Sequence, residues 1–211
     1  MSGSIKDMMI KTLPYSHEDI TLRTCERSDY DKLVSWSPYE WPFDGFNFSF
    51  ASLNRHELDQ LVRKRQQEVD RVTLVADLED SMVVGYVALL EVDWKEGWAY
   101  NMSIRVHPEY LSRGNGTKML RAVRDWWLNA GMKGLRLDVA ASNQRALRSY
   151  EKAGFMVVDE FWREAPDLLG VDLSDPRYGF LEGNVEQGEG TPRIRFYLME
   201  ISQEPLVREN M

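Results

Sequence analysis

The chain is poor in the residues that form disulfides and metal sites. It has one cysteine, Cys25, and three histidines in 211 residues. One cysteine excludes an internal disulfide, and no group of Cys and His residues has the spacing of metal ligands. We therefore expect no bound metal and a reducing compartment, and we predict a cytoplasmic location.

Positive charge and long apolar runs are also scarce. Lys and Arg total 26 against 34 Asp and Glu, a net charge of −8. Nucleic acids are bound by clustered Lys and Arg, so this balance argues against a nucleic-acid partner. A membrane span needs about 18 or more apolar residues in a row, and no such run is present. Residues 1–19 also lack the apolar core of a signal peptide, so we expect no membrane partner.

The length and the element pattern predict one α/β domain. We expect a loosely held N-terminal tail over residues 1–19 and a single domain over 20–211. Strand patterns occur at 20–25, 72–78, 82–92, 98–106, 135–140, 156–161 and 193–201, and helix patterns separate some of them. Some neighbouring strands are joined by hairpin turns, such as Glu79–Ser81, and others by helix crossovers. This order predicts a mixed, twisted central sheet flanked by helices.

A glycine-containing loop between a strand and a helix carries the clearest chemical signal. The sequence VHPEYLSRGNGTKML follows the strand at 98–106, and apolar residues at helical spacing continue to Ala130. A helix N-terminus has unpaired amides and the positive end of the helix dipole, which attract anions. Gly114 and Gly116 carry no Cβ that would keep a phosphate from those amides. For a GxG alone, an ordinary strand-to-helix turn is the alternative.

A second motif, NQRALRSYEKAGF over 143–155, makes the pair specific. It predicts a helix with Ser142 or Asn143 as N-cap and Gly154 as C-cap. With both motifs the chain resembles the GNAT acetyltransferase superfamily, in which a V-x-P strand end and a glycine loop precede N-x-x-A-x-x-x-Y-x-K-x-G-F. The match is closest from about Ile104 to Phe155. It departs at Leu111, where the family usually has Gln or Arg.

The resemblance implies a donor site for acetyl-CoA, since in that family the loop amides bind the pyrophosphate of coenzyme A. The pantetheine arm would lie along the strand end like an added strand, and Asn143 would hydrogen-bond it. The implied donor-binding residues are Ile104, Arg105, Val106, Ser112, Arg113, Gly114, Asn115, Gly116, Thr117, Asn143 and Tyr150. Arg113, Lys118 or Arg121 would meet the remaining phosphates.

Tyr150 occupies the family's tyrosine position, so the resemblance implies that it is the general acid that protonates the leaving thiolate. Helical spacing alone would instead make it a core residue. The strand at 98–106 has no carboxylate to serve as general base. Glu91 and Glu96 flank it and are the candidates, with a surface salt bridge as the alternative role of each.

Two segments are candidates for the acceptor side. Residues 36–50, WSPYEWPFDGFNFSF, concentrate aromatics with Glu40 and Asp44, and would either plug the core or line an amine pocket. Residues 163–191 form a long acidic insertion before the last strand, either solvated or functional. Its carboxylates are Glu164, Asp167, Asp172, Asp175, Glu182, Glu186 and Glu189.

The function predicted from these features is transfer of an acetyl group to a primary amine by direct attack in a ternary complex. The acceptor would be a small cationic amine. A protein N-terminal acetyltransferase and a noncatalytic acyl-CoA-binding or interaction domain are the alternatives. The resemblance leaves a homodimer open.

Overall fold

The computed structural model describes residues 4–78, 82–188 and 190–203. Within them, nine strands form one sheet in the order β1-β2-β3-β4-β5-β6-β9-β7, with β8 paired to β9. All neighbouring pairs are antiparallel except β5 and β6. The strands are β1 Tyr15–His17, β2 Ile20–Thr24, β3 Val72–Leu78, β4 Met82–Asp93, β5 Trp98–Val106, β6 Gly134–Ala140, β7 Met156–Glu164, β8 Val185–Glu186 and β9 Arg193–Ser202. The predicted mixed sheet flanked by helices is confirmed.

Five α-helices lie within the described residues. They are α1 Ile5–Ile10, α2 Arg27–Val34, α3 Arg55–Gln67, α4 Asn115–Asn129 and α5 Gln144–Ala153. Short 3-10 turns occupy Asp44–Phe46, Ser49–Ser52, Pro108–Tyr110, Pro166–Leu168 and Pro176–Leu181. The predicted turn at Glu79–Ser81 lies outside the described residues. No helix in the described part of the chain is both long enough and apolar enough to cross a membrane.

The sheet separates two apolar clusters. Trp126 and Trp127 of α4 pack on one face with alternate residues of β3, such as Leu74. On the other face, Val75 packs with residues of α2 and α3, including Tyr30. Because side chains alternate between the two faces of β3, successive residues enter different clusters, which explains why five of its seven residues are apolar.

The N-terminal segment differs from the expected loose tail. Ser4 caps α1 and accepts from the amide of Asp7, β1 pairs with β2, and Met9 is buried against the α4 side of the sheet. A loosely held tail was predicted over residues 1–19, and residues 5–17 differ from it, because their apolar residues are too few to show a period and find their partners elsewhere in the fold.

The acidic insertion is ordered at several points. β7 runs to Glu164, Leu168 and Leu181 are buried, and β8 pairs with the start of β9. One edge of β9 pairs first with β8, at Arg193 and Ile194, and then with β6, from Phe196 onward. The segment is thus anchored to the last strand, although it has little regular structure. Glu189 lies outside the described residues.

Candidate active site

The two parallel strands of the sheet separate soon after they meet. β5 and β6 pair at Trp98 with Gly134 and at Ala99 with Leu135, while β5 continues to Val106. The end of β5 is therefore paired only with β4 on its other side. A gap opens in the sheet at this point, and strand edges in such a gap can accept an extended ligand.

A cavity lies at this gap, between the end of β5, the glycine loop and α5. Its lining combines apolar walls with hydroxyl, amide and guanidinium groups, and no carboxylate is among the described residues that line it. The lining residues are Tyr39, Ile104, Arg105, Val106, Leu111, Ser112, Gly114, Gly116, Thr117, Leu120, Asn143, Arg145, Ala146, Ser149 and Tyr150.

The N-terminus of α4 opens into the cavity without a side-chain cap. Ser4, Asn54 and Asn143 cap α1, α3 and α5 by accepting from an amide of the first turn. The N-cap of α4 is Gly114, which has no side chain to do this. The first-turn amides of this 15-residue helix are therefore available to an anion, and the helix dipole favours one there.

Glycine is favoured at position 114 by the backbone conformation, and at position 116 it keeps the space beside β5 open. Gly114 has φ of +86°, a left-handed conformation that other residues adopt only with strain. A Cβ on Gly116 would lie 3.4 Å from Cγ2 of Val106, and it would occupy space between the loop and β5. Ser112 also has positive φ, +59°, so the loop conformation is specific. These features fit the phosphate cradle expected for coenzyme A.

Most of the residues expected to bind the donor line the cavity, but two do not. The Asn115 side chain is buried and donates to the carbonyl of Tyr110 at 3.1 Å, so it shapes the loop from behind. Arg113 is exposed and lies over the ring of Tyr110, 5.3 Å from its centroid. Sequence position alone could not separate these side chains from their cavity-facing neighbours.

The cations expected near the phosphates are engaged elsewhere. Lys118 forms an ion pair of 2.7 Å with Asp19. Arg121 lies 3.5 Å from Glu18 and donates to the carbonyl of Lys152. Both partners come from outside the glycine loop motif, so the motif gives no sign of them.

Tyr150 lies in the wall of the cavity opposite the loop. Its side chain is buried against Phe155, and its hydroxyl has no hydrogen-bond partner among the described residues. Burial raises the pKa of Tyr150 to about 12, although the charge of Arg105 opposes the shift. The phenol is therefore protonated at neutral pH, as a proton donor must be.

Arg105 brings a positive charge to the same wall. It donates to the hydroxyl of Ser103 at 2.7 Å, and its guanidinium lies 5.0 Å from the ring centroid of Phe48. Burial lowers the pKa of Arg105, and nearby tyrosines offset part of that effect. A guanidinium remains charged in a protein even after such a shift. The cavity therefore favours a ligand that carries negative charge.

Tyr39 and Arg145 line the cavity, although neither was among the predicted donor-binding residues. The hydroxyl of Tyr39 donates to the carbonyl of Val106, the last residue of β5. Arg145, in the first turn of α5, lies 4.1 Å from the ring centroid of Phe43. The aromatic segment at 36–50 therefore forms part of the cavity wall, and its aromatic density was the only signal that could have found these contacts.

Trp41, Tyr178 and Phe180 form an aromatic rim next to the segment that carries Tyr39 and Phe43. Trp41 is 50% exposed and makes edge contacts with Tyr178 and Phe180, at centroid distances of 5.2 and 5.8 Å. The aromatic segment and the acidic insertion therefore meet beside the cavity. Glu40 and Asp44 are exposed on the same segment, and neither lines the cavity.

The two candidate bases lie away from the cavity. Glu96 is in the turn before β5 and pairs with Lys133 at 3.3 Å, whereas the cavity is at the other end of this nine-residue strand. At about 3.3 Å per residue that separation exceeds 20 Å. Glu91 is exposed, with φ of +52°, and also does not line the cavity. Neither carboxylate is brought to the predicted reaction centre, because both lie near the wrong end of the hairpin.

Residues 35–155 match the model of the acetyltransferase (GNAT) family, which covers more than half of the chain. The chain belongs to the GNAT acetyltransferase family. The predicted family and the predicted enzyme class, an N-acetyltransferase, are both confirmed. Among the described residues, no three His, Cys, Asp or Glu side chains are grouped as metal ligands would be.

Known relatives of this GNAT protein differ in their acceptors. N-alpha-acetyltransferase 30 of Schizosaccharomyces pombe is 25% identical over 162 residues, which cover 74% of this chain and 89% of that protein. A spermidine N-acetyltransferase chimera from Vibrio cholerae and hSSAT superposes with a TM-score of 0.63 at 19% identity, covering 88% and 96% of the two chains. The Vibrio cholerae spermidine N-acetyltransferase in complex with CoA and spermine gives 0.61 at 19% identity, covering 89% and 97%. The likeness to the two structures shows the fold alone.

Proposed function

We propose that this GNAT protein transfers the acetyl group of acetyl-CoA to a primary amine by direct attack in a ternary complex. The observation that carries the proposal is the uncapped N-terminus of α4, which opens into the same cavity as the buried hydroxyl of Tyr150. One element suits a pyrophosphate, and the other suits a departing thiolate. The buried free thiol of Cys25 fits the proposed cytoplasmic location.

The donor would be held by main chain more than by side chains. Amides of the first turn of α4 would bind the pyrophosphate, with Gly114 and Gly116 allowing close approach. The pantetheine arm would lie along β5 from Ile104 to Val106, where the missing β6 partner leaves a strand edge. Asn143 caps α5 through its side-chain oxygen, which leaves its amide nitrogen for the donor.

The chain would contribute two effects to the reaction. Tyr150 would donate its proton to the thiolate that leaves when the amine nitrogen bonds to the acetyl carbon. Arg105, through its charge, would favour the negative charge that develops on the sulfur and the carbonyl oxygen. Since no carboxylate is among the described residues lining the cavity, the amine would have to arrive unprotonated or lose its proton to water.

The acceptor would enter from the side of the aromatic rim. Trp41 and Phe180 are exposed and Tyr178 is half-buried. Ammonium groups bind aromatic ring faces by cation–π contact, each contact giving about 1 kcal/mol. A small cationic amine suits this rim. Part of the acidic insertion is already paired, since Asp175 forms an ion pair of 2.8 Å with Arg177. The aromatic rings therefore support a cationic acceptor more strongly than the negative charge of the insertion does.

A protein N-terminus is the second candidate acceptor. The similarity to N-alpha-acetyltransferase 30 favours it, and an exposed aromatic rim can also hold a peptide. A homodimer stays a prediction for either acceptor.

Two measurements test the proposal. Calorimetry with acetyl-CoA should detect binding that Gly116→Asp abolishes, because the new side chain would crowd Val106 and place a carboxylate among the donor's phosphates. Release of free thiol should then be followed with polyamines, amino acids and peptides with free N-termini. No binding of acetyl-CoA at millimolar concentration would contradict the donor site. Turnover of peptides but not of polyamines would select the second acceptor.

A further inference from the structure

A second pocket lies away from the active cavity, between α1, α3 and the adjoining ends of β2 and β3. It encloses about 130 Å³ and shares no lining residue with the active cavity. Among the described residues that line it there is no Asp or Glu, whereas three are cations. Its polar lining includes Lys6, Thr24, Tyr30, Arg65, Gln66 and Arg71.

Arg65 is the half-buried centre of this pocket. Its guanidinium lies over the rings of Tyr30 and Phe50, at 5.7 and 5.2 Å from their centroids. Its hydrogen bonds to the hydroxyls of Tyr30 and Tyr86 are long, 3.3 and 3.4 Å. No carboxylate of the described residues lies within ion-pair distance of it, although the chain is acidic overall. Burial disfavours the charged form, but Tyr86, Tyr30 and the charge of Glu68 outweigh it and raise the pKa of Arg65. A bound anion would add a counter-charge at contact distance, which the described residues do not supply.

Lys6 and Arg71 add positive charge to the wall. The ammonium of Lys6 donates to the carbonyl of Glu68 at 2.6 Å, and Nε of Arg71 bonds to the carboxylate of the same residue. The two terminal nitrogens of Arg71 have no hydrogen-bond partner among the described residues. Burial lowers the pKa of Lys6, while the charges of Asp70, Asp7 and Glu68 oppose that shift. Among the described residues, Glu68 is the carboxylate that forms an ion pair with one of these three cations, Arg71, while Asp70 and Asp7 act on Lys6 through their charge alone.

We propose that this pocket binds a compact oxyanion, either a phosphate or a small dicarboxylate. The planar guanidinium of Arg65 would hold two of its oxygens, which is the geometry guanidinium groups favour. Lys6 and Arg71 would supply further donors, and the cavity of about 130 Å³ suits an ion of a few heavy atoms. The anion would join α1 to α3 and β3, so it would stabilise the N-terminal segment against the rest of the fold.

Thermal unfolding in phosphate, in succinate and in sodium chloride at equal ionic strength tests this site. Phosphate or succinate should raise Tm with saturation, whereas chloride should not. At ten times Kd, the folding equilibrium should shift about 11-fold. Gln66→Glu should remove the rise in Tm, because its carboxylate would take the place of the anion in the pocket. Arg65→Gln should also remove it. Arg63→Gln is the matched control, since it deletes the same charge from an exposed position on the same helix and should keep the response.

The donor cradle at α4 is a second place where phosphate could act, and the variants separate the two. A Tm response that survives Gln66→Glu and Arg65→Gln but disappears in Gly116→Asp would belong to the cradle and would overturn the pocket proposal. Equal Tm values in phosphate, succinate and chloride would overturn it as well. A stronger response to succinate than to phosphate would assign the pocket to carboxylates. If Arg65→Gln fails to fold, Gln66→Glu decides alone, since the Gln66 side chain is exposed.

Discussion

Replacing Tyr150 by phenylalanine removes one hydroxyl from the wall of the cavity and little else. The ring, its packing on Phe155 and its place in the buried face of α5 would all stay. Because this hydroxyl has no hydrogen-bond partner among the described residues, its loss leaves no buried group unpaired. We therefore expect the free energy of unfolding to change by less than about 1 kcal/mol. Affinity for acetyl-CoA should stay within a few-fold of the parent.

The rate of acetyl transfer should respond differently. Loss of a general acid lowers kcat by a factor of roughly 10 to 1,000, which corresponds to about 1.4 to 4 kcal/mol of transition-state stabilisation. The pKa of Tyr150 is raised to about 12, so the acid form is present below that value and is lost only as pH rises through it. Any decline of kcat between pH 7 and 10 in the parent should therefore have another origin, and that part of the profile should keep its shape in Tyr150→Phe.

Single-turnover and steady-state thiol release, with calorimetry for donor binding, measure these effects. Tyr86→Phe is the matched control, because it deletes another buried phenol hydroxyl, outside the cavity, whose bond to Arg65 is long at 3.4 Å. Its kcat should stay within about twofold of the parent. If Tyr150→Phe also kept the parent kcat in single-turnover experiments, the hydroxyl would have no part in proton transfer. Loss of donor binding in that variant would show instead a role in holding the pantetheine arm.

Local patterns predicted much of this fold because their causes are local. The strand Trp98–Val106 was predicted with the observed bounds, and Asn54 and Glu57, three residues apart in sequence, form a capping box at the start of α3. Strand alternation and helix caps are set by residues within a turn or two of each other, so sequence reveals them. The glycine loop and the Asn143 cap were predictable for the same reason.

Contacts between distant segments were not predictable in this way. The bond from Tyr39 to the carbonyl of Val106 joins positions 67 residues apart. The distance of Glu96 from the cavity, by contrast, follows from the predicted strand itself, since the nine residues of β5 separate Glu96 from the glycine loop and span more than about 20 Å. Glu96 is close to the motif in sequence but far from the cavity in the structure.

Three further predictions concern different parts of the chain. Gly116→Asp should abolish acetyl-CoA binding in calorimetry while the far-ultraviolet circular dichroism stays unchanged, and retained affinity would argue against the cradle. Trp41→Ala should raise the acceptor KM several-fold at constant donor KM, because the exposed ring contacts only the rim. Equal changes in both KM values would place Trp41 outside acceptor binding. The third concerns stability. Although burial opposes it, hydrogen bonds from Arg23 and from the amide of Glu26 lower the pKa of Asp29. The resulting stabilisation is present above the ordinary carboxyl pKa and is lost as pH falls through the lowered one. Asp29→Asn leaves Arg23 with Asp77 alone and should cost about 3 kcal/mol at pH 7 in urea unfolding, and less at pH 3. A cost that is the same at both pH values would refute the ionic origin of this stabilisation, since an uncharged contact would not respond to protonation of the carboxylate.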